Sequence, residues 1–367
     1  MLLHEENTAA KENIAFGCPV PERLRCISVT VRSEYTGPEC PHITFQLSRP
    51  GDEEPVFISH SYMLGGAQFF RVPPAWFEDV ELCMEIILPE GGELKLLELS
   101  ADYGEPADGR TEPLRFNAHL GLWGMAPNNT MPAFELAALC GFPACIVVPK
   151  LTAGGELVCI HDDTLARYAR DAEGNSPPDE RKIWDMTLEE LDRWDYGLYK
   201  HPAWRGTGIP RLADFFDLCA KTGMRPMFST HPGLPVEKWR EVREMLEKRD
   251  LLSRFHIKSF DLDVLETAWS VFGTDIDGYT YDNRKWEPER FAAYIACPID
   301  FSACRCGMEV RFDHYTPEIA KEILDAGLFA AAWSIKRRTE EEYRRIISWG
   351  ITEFTEDYHC TPEMNWK

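Results

Sequence analysis

From residue 114 onward, short strand-forming runs alternate with helical patterns, and this alternation restricts the chain more than any other feature. The strand candidates are "LRFNAH", "ACIVVP", "RPMFST", "FHIKSF", "IDGYTY", "FAAAWSI" and "ITEFTED". Between them lie helical patterns such as "TMPAFELAALC", "PRLADFFDLCAKTG", "PVEKWREVREMLEKRD", "TPEIAKEILDAG" and "RTEEEYRRIISWG". Strands joined through helices pair in parallel, so the expected class is α/β. Roughly 250 residues of such units is the usual size of a (β/α)8 TIM barrel. A doubly wound sheet is the alternative, but no GxGxxG turn supports it. The run "ACIVVP" lacks polar alternation, as a parallel strand covered on both faces should.

The residues before this pattern read differently. The runs "CISVTVRS", "HITFQLS", "LCMEIIL" and "LKLLELSADY" are separated by the turn-forming "GPECP", "PGDEEP" and "PEGGE". Short strands at that spacing suggest an N-terminal β-sandwich-like domain. The Gly, Pro and charge-rich "GEPADGRTEP" then divides the chain into a β-rich domain at 1–105, a linker at 106–113 and a barrel at 114–367. No feature of the first domain identifies a ligand; packing on the barrel or pairing as a homodimer is its expected role.

A formal net charge of −22, from 61 acidic against 39 basic residues, repels nucleic-acid phosphates and anionic membrane surfaces. No nucleic-acid partner is therefore expected, and a phosphate-bearing ligand needs a local basic pocket. The opening "MLLHEENTAAKEN" has no basic segment followed by an apolar one, and no run approaches the roughly eighteen apolar residues of a membrane span. The expectation is a cytoplasmic protein without membrane insertion. The 12 cysteines include no CxxC pair, so neither a zinc site nor a disulfide scaffold is expected.

Several motifs occur in order: His119-Leu120-Gly121, Pro127-Asn128-Asn129-Thr130 leading to Ala133-Phe134, Gly141 through Thr152, and His161-Asp162. They are followed by "MTLEELDRWDYG", "IPRLADFF", "IKSFDLDVL", "AAWSIK" and "GITEFTED". The series resembles the glycerophosphodiester phosphodiesterase family from residue 114 to the C-terminus. That resemblance implies a phospholipase C-like TIM barrel and a small phosphodiester substrate. It also implies two histidines as general acid and base, and a divalent cation held by an E-x-D pair and a later glutamate.

Both histidine positions are kept, as His119 and His161, and imidazoles suit a proton relay because they titrate near neutrality. The resemblance places Ile146, Val148 and Ser229 where the family has metal-binding carboxylates, and His231 where it has a lysine. The motif arginine is Leu120, and the P-E-N-T glutamate is Asn128. Divalent cations such as Mg²⁺ and Ca²⁺ need several hard oxygen ligands, so no metal and no other cofactor is expected. Positive charge must then come from side chains. Strand parity puts Lys150 on the face of Ile146 and Val148, and His231 and Arg311 are further cationic candidates. Asn129 and Trp333 complete the expected substrate contacts. Two readings stay open: a metal-independent phosphodiesterase, or a catalytically inactive barrel that binds phosphate or acts as a scaffold.

Overall fold

In the computed structural model the described residues are 2–4, 8–10, 14–19, 26–37, 41–48, 57–62, 66–72, 81–88, 90–104, 114–124, 126–139, 142–178, 180–230, 233–334 and 340–356. The expected linker at 106–113 and His231 lie outside them.

Among the described residues nine strands precede the barrel: β1 (Leu2–His4), β2 (Thr8–Ala10), β3 (Ile14–Pro19), β4 (Cys26–Thr36), β5 (His42–Ser48), β6 (Phe57–Tyr62), β7 (Gly66–Val72), β8 (Glu81–Ile87) and β9 (Glu93–Gly104). They form two antiparallel sheets, one ordered β1-β9-β4-β7 with β2 also on β9, the other β3-β8-β5-β6. Period-2 alternation buries Ile43, Phe45 and Leu47 of β5 and Leu82, Met84 and Ile86 of β8. In β9 the buried set runs Leu94, Leu96 and then Leu99. The register explains the skip: Arg32 pairs with Glu98 but Ser33 pairs with Leu96, a bulge that reverses the parity of β9. Glu98 is thereby turned outward to meet Arg32 at 3.0 Å.

The remaining strands are β10 (Arg115–His119), β11 (Ala144–Val147), β12 (Pro149–Leu151), β13 (Leu157–Cys159), β14 (Arg225–Ser229), β15 (His256–Ser259), β16 (Gly278–Asp282), β17 (Arg305–Arg311), β18 (Phe329–Ser334) and β19 (Glu353–Glu356). Eight of them close into a parallel barrel in the order β10-β11-β14-β15-β16-β17-β18-β19, while β12 and β13 form a hairpin of their own. The helices are α1 (Met131–Leu139), α2 (Leu188–Leu191), α3 (Leu212–Thr222), α4 (Val236–Glu247), α5 (Leu262–Phe272), α6 (Pro288–Ile295), α7 (Pro317–Asp325) and α8 (Glu340–Ile347). Local chemistry sets their ends. Thr316 caps α7 by accepting from the Ile319 amide at 3.3 Å with Pro317 in the first turn, and α3 stops at Gly223 with φ 79°. The closed sheet is a (β/α)8 barrel and excludes the doubly wound alternative. No helix among the described residues is long and apolar enough to cross a membrane.

Of the eight barrel strands, the one that the sequence pattern did not reveal is β17, "RCGMEVR". Its alternate residues Arg305, Gly307, Glu309 and Arg311 face the barrel interior, so it lacks the apolar run of its neighbours. Interior parity follows from the core itself. Cys145 and Val147, Phe228, Ile257, Tyr279 and Tyr281, Met308 and Val310, and Ala330 and Ala332 belong to the apolar layer between wall and helices. The residues between them point inward. Gly307 is required there, because a Cβ would lie 2.4 Å from the Phe329 ring.

The inward residues near the strand starts form a buried ionic floor. Asn117 donates to Glu353 at 2.7 Å, and Arg225 donates to Asp277 at 2.6 Å and to Glu353 at 3.3 Å. Arg305 pairs with the other Glu353 oxygen, and His256 bridges Asp277 and Thr280 at 2.8 Å each. Burial alone would raise the Glu353 carboxyl, but Arg305 and Arg225 outweigh it and lower it from 4.5 to about 2. A depressed acid stabilises the fold above its unfolded pKa and loses that contribution as pH falls through the folded one. The shift is worth about 3 kcal/mol at neutral pH, lost between about pH 4.5 and 2. Glu353→Gln leaves two arginines undercompensated and should cost about 3–5 kcal/mol in urea denaturation at pH 7. The gap to wild type should narrow at pH 3; a gap independent of pH would refute this account of the floor.

Candidate functional site

The chain leaves β11 through Val148 and enters the β12–β13 hairpin, and the Ile160 amide returns to the Val148 carbonyl at 3.0 Å. This return carries His161, Asp162 and Asp163 to the C-terminal end of the barrel strands, where TIM-barrel sites form. The excursion up to α3 has its own apolar core of Val158, Ile160, Leu165, Tyr168, Ile183, Met186, Leu191, Tyr196 and Ile209, which fixes the position of the histidine segment.

A cavity of about 320 Å³ opens there, lined by Val148, Lys150, His161, Asp162, Asp163, Ser229, Phe260 and Arg284. Lys150 is buried, with its ammonium 2.6 Å from Asp163 Oδ1. His161 holds Asp162 Oδ1 through Nδ1 at 2.6 Å. Chemistry at this ring therefore falls to Nε2. Burial works to raise the Asp162 carboxyl, but the hydrogen bond and charge of His161, with Arg167, carry it below its ordinary value. An ionised Asp162 fixes the orientation of the ring.

His119 ends β10 in register with Ile146 and is half-buried. Directly after it Leu120 has φ 55° and Gly121 φ 75°, and a Cβ on Gly121 would lie 2.5 Å from Ala133 Cβ. The glycine of the motif is thus what lets α1 pack against the turn. Asn129, with φ 51°, ties the same turn to β11. Its amide donates to the Leu120 carbonyl at 2.9 Å and its Oδ1 accepts from the Val148 amide at 2.9 Å. Its buried Nδ2 has no partner among the described residues.

The structure thus brings Lys150 and His161 into one cavity. It places Arg311 elsewhere: going round the barrel, β17 is the fourth strand from β11 in either direction. There Arg311 pairs in register with Trp333, 5.8 Å from its ring, and lies 3.8 Å from Asp313. None of His119, Asn129, Arg311 and Trp333 lines the cavity of His161.

Arg284, Phe260 and Asp163 line the cavity but were not singled out from the sequence. Arg284 lies 4.4 Å from the centre of the Phe260 ring, and its Nε is 3.4 Å from Asp282 Oδ2. Its signal was positional: it follows the C-terminal end of β16. Beneath it the interior holds Lys258 paired with Glu309, and Thr355 donating to Glu309 at 2.5 Å. Burial pushes the neighbouring Asp282 carboxyl up to about 6, against the pull of Lys258.

The positions that could hold a divalent cation in this barrel do not fit one. Ile146 and Val148 offer no donor and Ser229 one hydroxyl, and no group of three or more His, Cys, Asp or Glu among the described residues could hold a metal ion.

The fold is a (β/α)8 barrel with a charged cavity at the C-terminal end of its strands. The model of the Glycerophosphoryl diester phosphodiesterase family matches residues 119–272. A glycerophosphodiester phosphodiesterase of Caldanaerobacter subterraneus is 25% identical over 246 residues, covering 64% of this chain and 90% of its own. YhdW of Bacillus subtilis, provisionally named for that activity, is 38% identical over 95 residues, 26% of this chain and 36% of its own length. The chain thus spans barely a third of that relative. Among solved structures, an Oleispira antarctica phosphodiesterase in complex with the product sn-glycerol-3-phosphate superposes with TM-score 0.56 at 22% identity, covering 66% of this chain and 93% of that one. The Agrobacterium tumefaciens glycerophosphodiester phosphodiesterase gives TM-score 0.53 at 18% identity, over 68% of this chain and 97% of the other. Residues 119–272 are thus similar to the glycerophosphodiester phosphodiesterase family, and the motif resemblance puts Ile146, Val148 and Ser229 where that family has metal-binding carboxylates.

With this donor set, millimolar Mg²⁺ or Ca²⁺ should leave the melting temperature where EDTA leaves it, because a ligand stabilises by binding the native state. Differential scanning fluorimetry decides the matter. A metal-dependent rise abolished by Asp162→Asn or Asp163→Asn would show that these carboxylates rebuild a site.

Proposed function

We propose that this protein hydrolyses small phosphodiesters of the glycerophosphodiester type at the barrel mouth, by proton transfer between His119, His161 and the substrate and without a metal ion. The observation that carries the reading is the convergence of His161, Lys150 and Arg284 on one cavity. The phosphate monoester named as product in the Oleispira antarctica relative is of the chemical class that such a reaction releases.

In this reading one imidazole accepts the proton of the attacking hydroxyl as the new P–O bond forms. The other donates a proton to the leaving alcohol as the old P–O bond breaks. His161 acts through Nε2, oriented by Asp162. The charge spread over the phosphoryl oxygens is met by Lys150 and Arg284 in place of a metal. Arg284 suits this task because Phe260 and Asp282 already restrict it, which reduces the rotamer entropy lost on binding. The division into a 1–105 sandwich-like domain, a 106–113 linker and a barrel from 114 is part of the proposal. So are a cytoplasmic location and pairing of copies through the first domain. Asn129, His231, Arg311 and Trp333 remain candidate substrate contacts within it.

One observation favours binding without turnover. Lys150 is neutralised by Asp163 at 2.6 Å, which reduces the positive charge available to a transition state. Hydrolysis of several glycerophosphodiesters in EDTA separates the readings. An enzyme should lose about 10²–10⁴-fold in kcat in both His119→Ala and His161→Ala. Arg284→Ala should lower kcat/KM by about tenfold or more, as loss of a charge-assisted contact worth about 1.5–3 kcal/mol in the transition state. A background rate unchanged by either histidine variant, with glycerol 3-phosphate still bound, would establish the binding module.

A further inference from the structure

We infer that Cys304 and Cys306 form a peroxide-reactive dithiol at the start of β17. The two sulfurs lie 3.5 Å apart, within hydrogen-bonding contact for thiols. Cys304 is half-buried and reachable from solvent, whereas Cys306 is buried in the apolar layer outside the barrel wall. This is the disposition of an attacking thiol beside a resolving one.

The backbone between them is anchored. Arg305 pairs with Glu353, its guanidinium carbon lies 3.8 Å from the centre of the Phe329 ring, and its amide donates to the Asp277 carbonyl at 3.2 Å. With Arg305 pinned to the ionic floor, the flanking sulfurs are held in contact instead of sampling separate rotamers. Two residues of extended chain span roughly 6.6 Å, inside the upper end of the Cα separations that a disulfide bridges. The hydrogen bond from Cys306 lowers the Cys304 thiol below its ordinary value and raises that of Cys306, so the reachable sulfur is the one that ionises first.

The chemistry balances with a hydroperoxide as oxidant. The Cys304 thiolate attacks one peroxide oxygen, the O–O bond breaks, and the second oxygen leaves as alkoxide or hydroxide and takes up a proton. Sulfur becomes a sulfenic acid. The Cys306 thiol then attacks that sulfur, the S–O bond breaks, water leaves with the thiol proton, and the disulfide forms. The two sulfurs together lose two electrons and the peroxide gains them.

The test is hydrogen peroxide in slight excess over the native full chain, followed by alkylation, trypsin and mass spectrometry. Trypsin cuts after Arg305, so the two cysteines fall on separate peptides that stay joined through a disulfide alone. The expected result is a joined pair that dithiothreitol separates, with both cysteines then open to alkylation. Cys304→Ser should leave Cys306 alkylated throughout, and Cys306→Ser should arrest Cys304 as a sulfenic acid trapped by dimedone. Joining of Cys304 to a different cysteine would overturn the inference. So would progression of Cys304 to sulfinic acid in wild type while Cys306 stays alkylated, or a Cys306→Ser variant that traps no more sulfenic acid than wild type.

Discussion

Closing eight parallel strands leaves every second side chain of each strand without an exit to solvent, so each polar group sent inward must find its partner inside the barrel. This chain sends many. The floor sets Arg225, Arg305 and His256 against Glu353 and Asp277, and the level above sets Lys258 against Glu309 with Asp282 beside them. Such an interior is costly to desolvate and cheaper to fill with apolar residues, but once built it is hard to disturb, because removing one member strands the others. The position of Arg305 follows from keeping these charges matched, and Gly307 leaves room for the Phe329 ring on which Arg305 stacks.

The same inward traffic sets how much of the fold could be read from the sequence. Strands such as "ACIVVP" are apolar on both faces and identify themselves, and the alternation with helices fixes the barrel. β17 escaped because its inward residues are Arg305, Gly307, Glu309 and Arg311, so half of its pattern looks like loop. In the first domain the runs were legible but not the bulge in β9, since parity there depends on how Ser33 and Leu96 meet in register. Base composition and periodicity describe one strand at a time, whereas register belongs to a pair.

Motif order singled out His119 and His161, of which His161 lines the cavity and His119 does not, and strand parity singled out Lys150, which lines it beside Val148. It could not choose among cations. Arg311 satisfies the rule that functional residues follow barrel strands, and so does Arg284, yet they stand on different strands around the rim. Arg284 shares a cavity with His161 and Arg311 does not, a difference that position after a strand cannot reveal.

The charge pattern of the mouth differs from that of a pocket that holds a metal. A divalent ion brings two positive charges to one point and needs carboxylates to hold it; Ile146, Val148 and Ser229 supply none. Here the positive charge sits on separate side chains, and each has its own anion, Lys150 with Asp163 and Arg284 with Asp282, while the His161 ring is hydrogen-bonded to Asp162. A neutralised cation still donates hydrogen bonds, and its partner holds it in place before the substrate arrives, so what is lost in net field is partly recovered in preorganisation. The pairs differ in how firmly they are closed. Lys150 is buried against a short contact, whereas Arg284 is half exposed, 3.4 Å from a carboxyl that burial pushes up to about 6. As Asp282 takes up a proton, the negative charge it sets against Arg284 is lost. Of the cations at this mouth, Arg284 is therefore the one whose charge a phosphoryl group can claim at the least electrostatic cost.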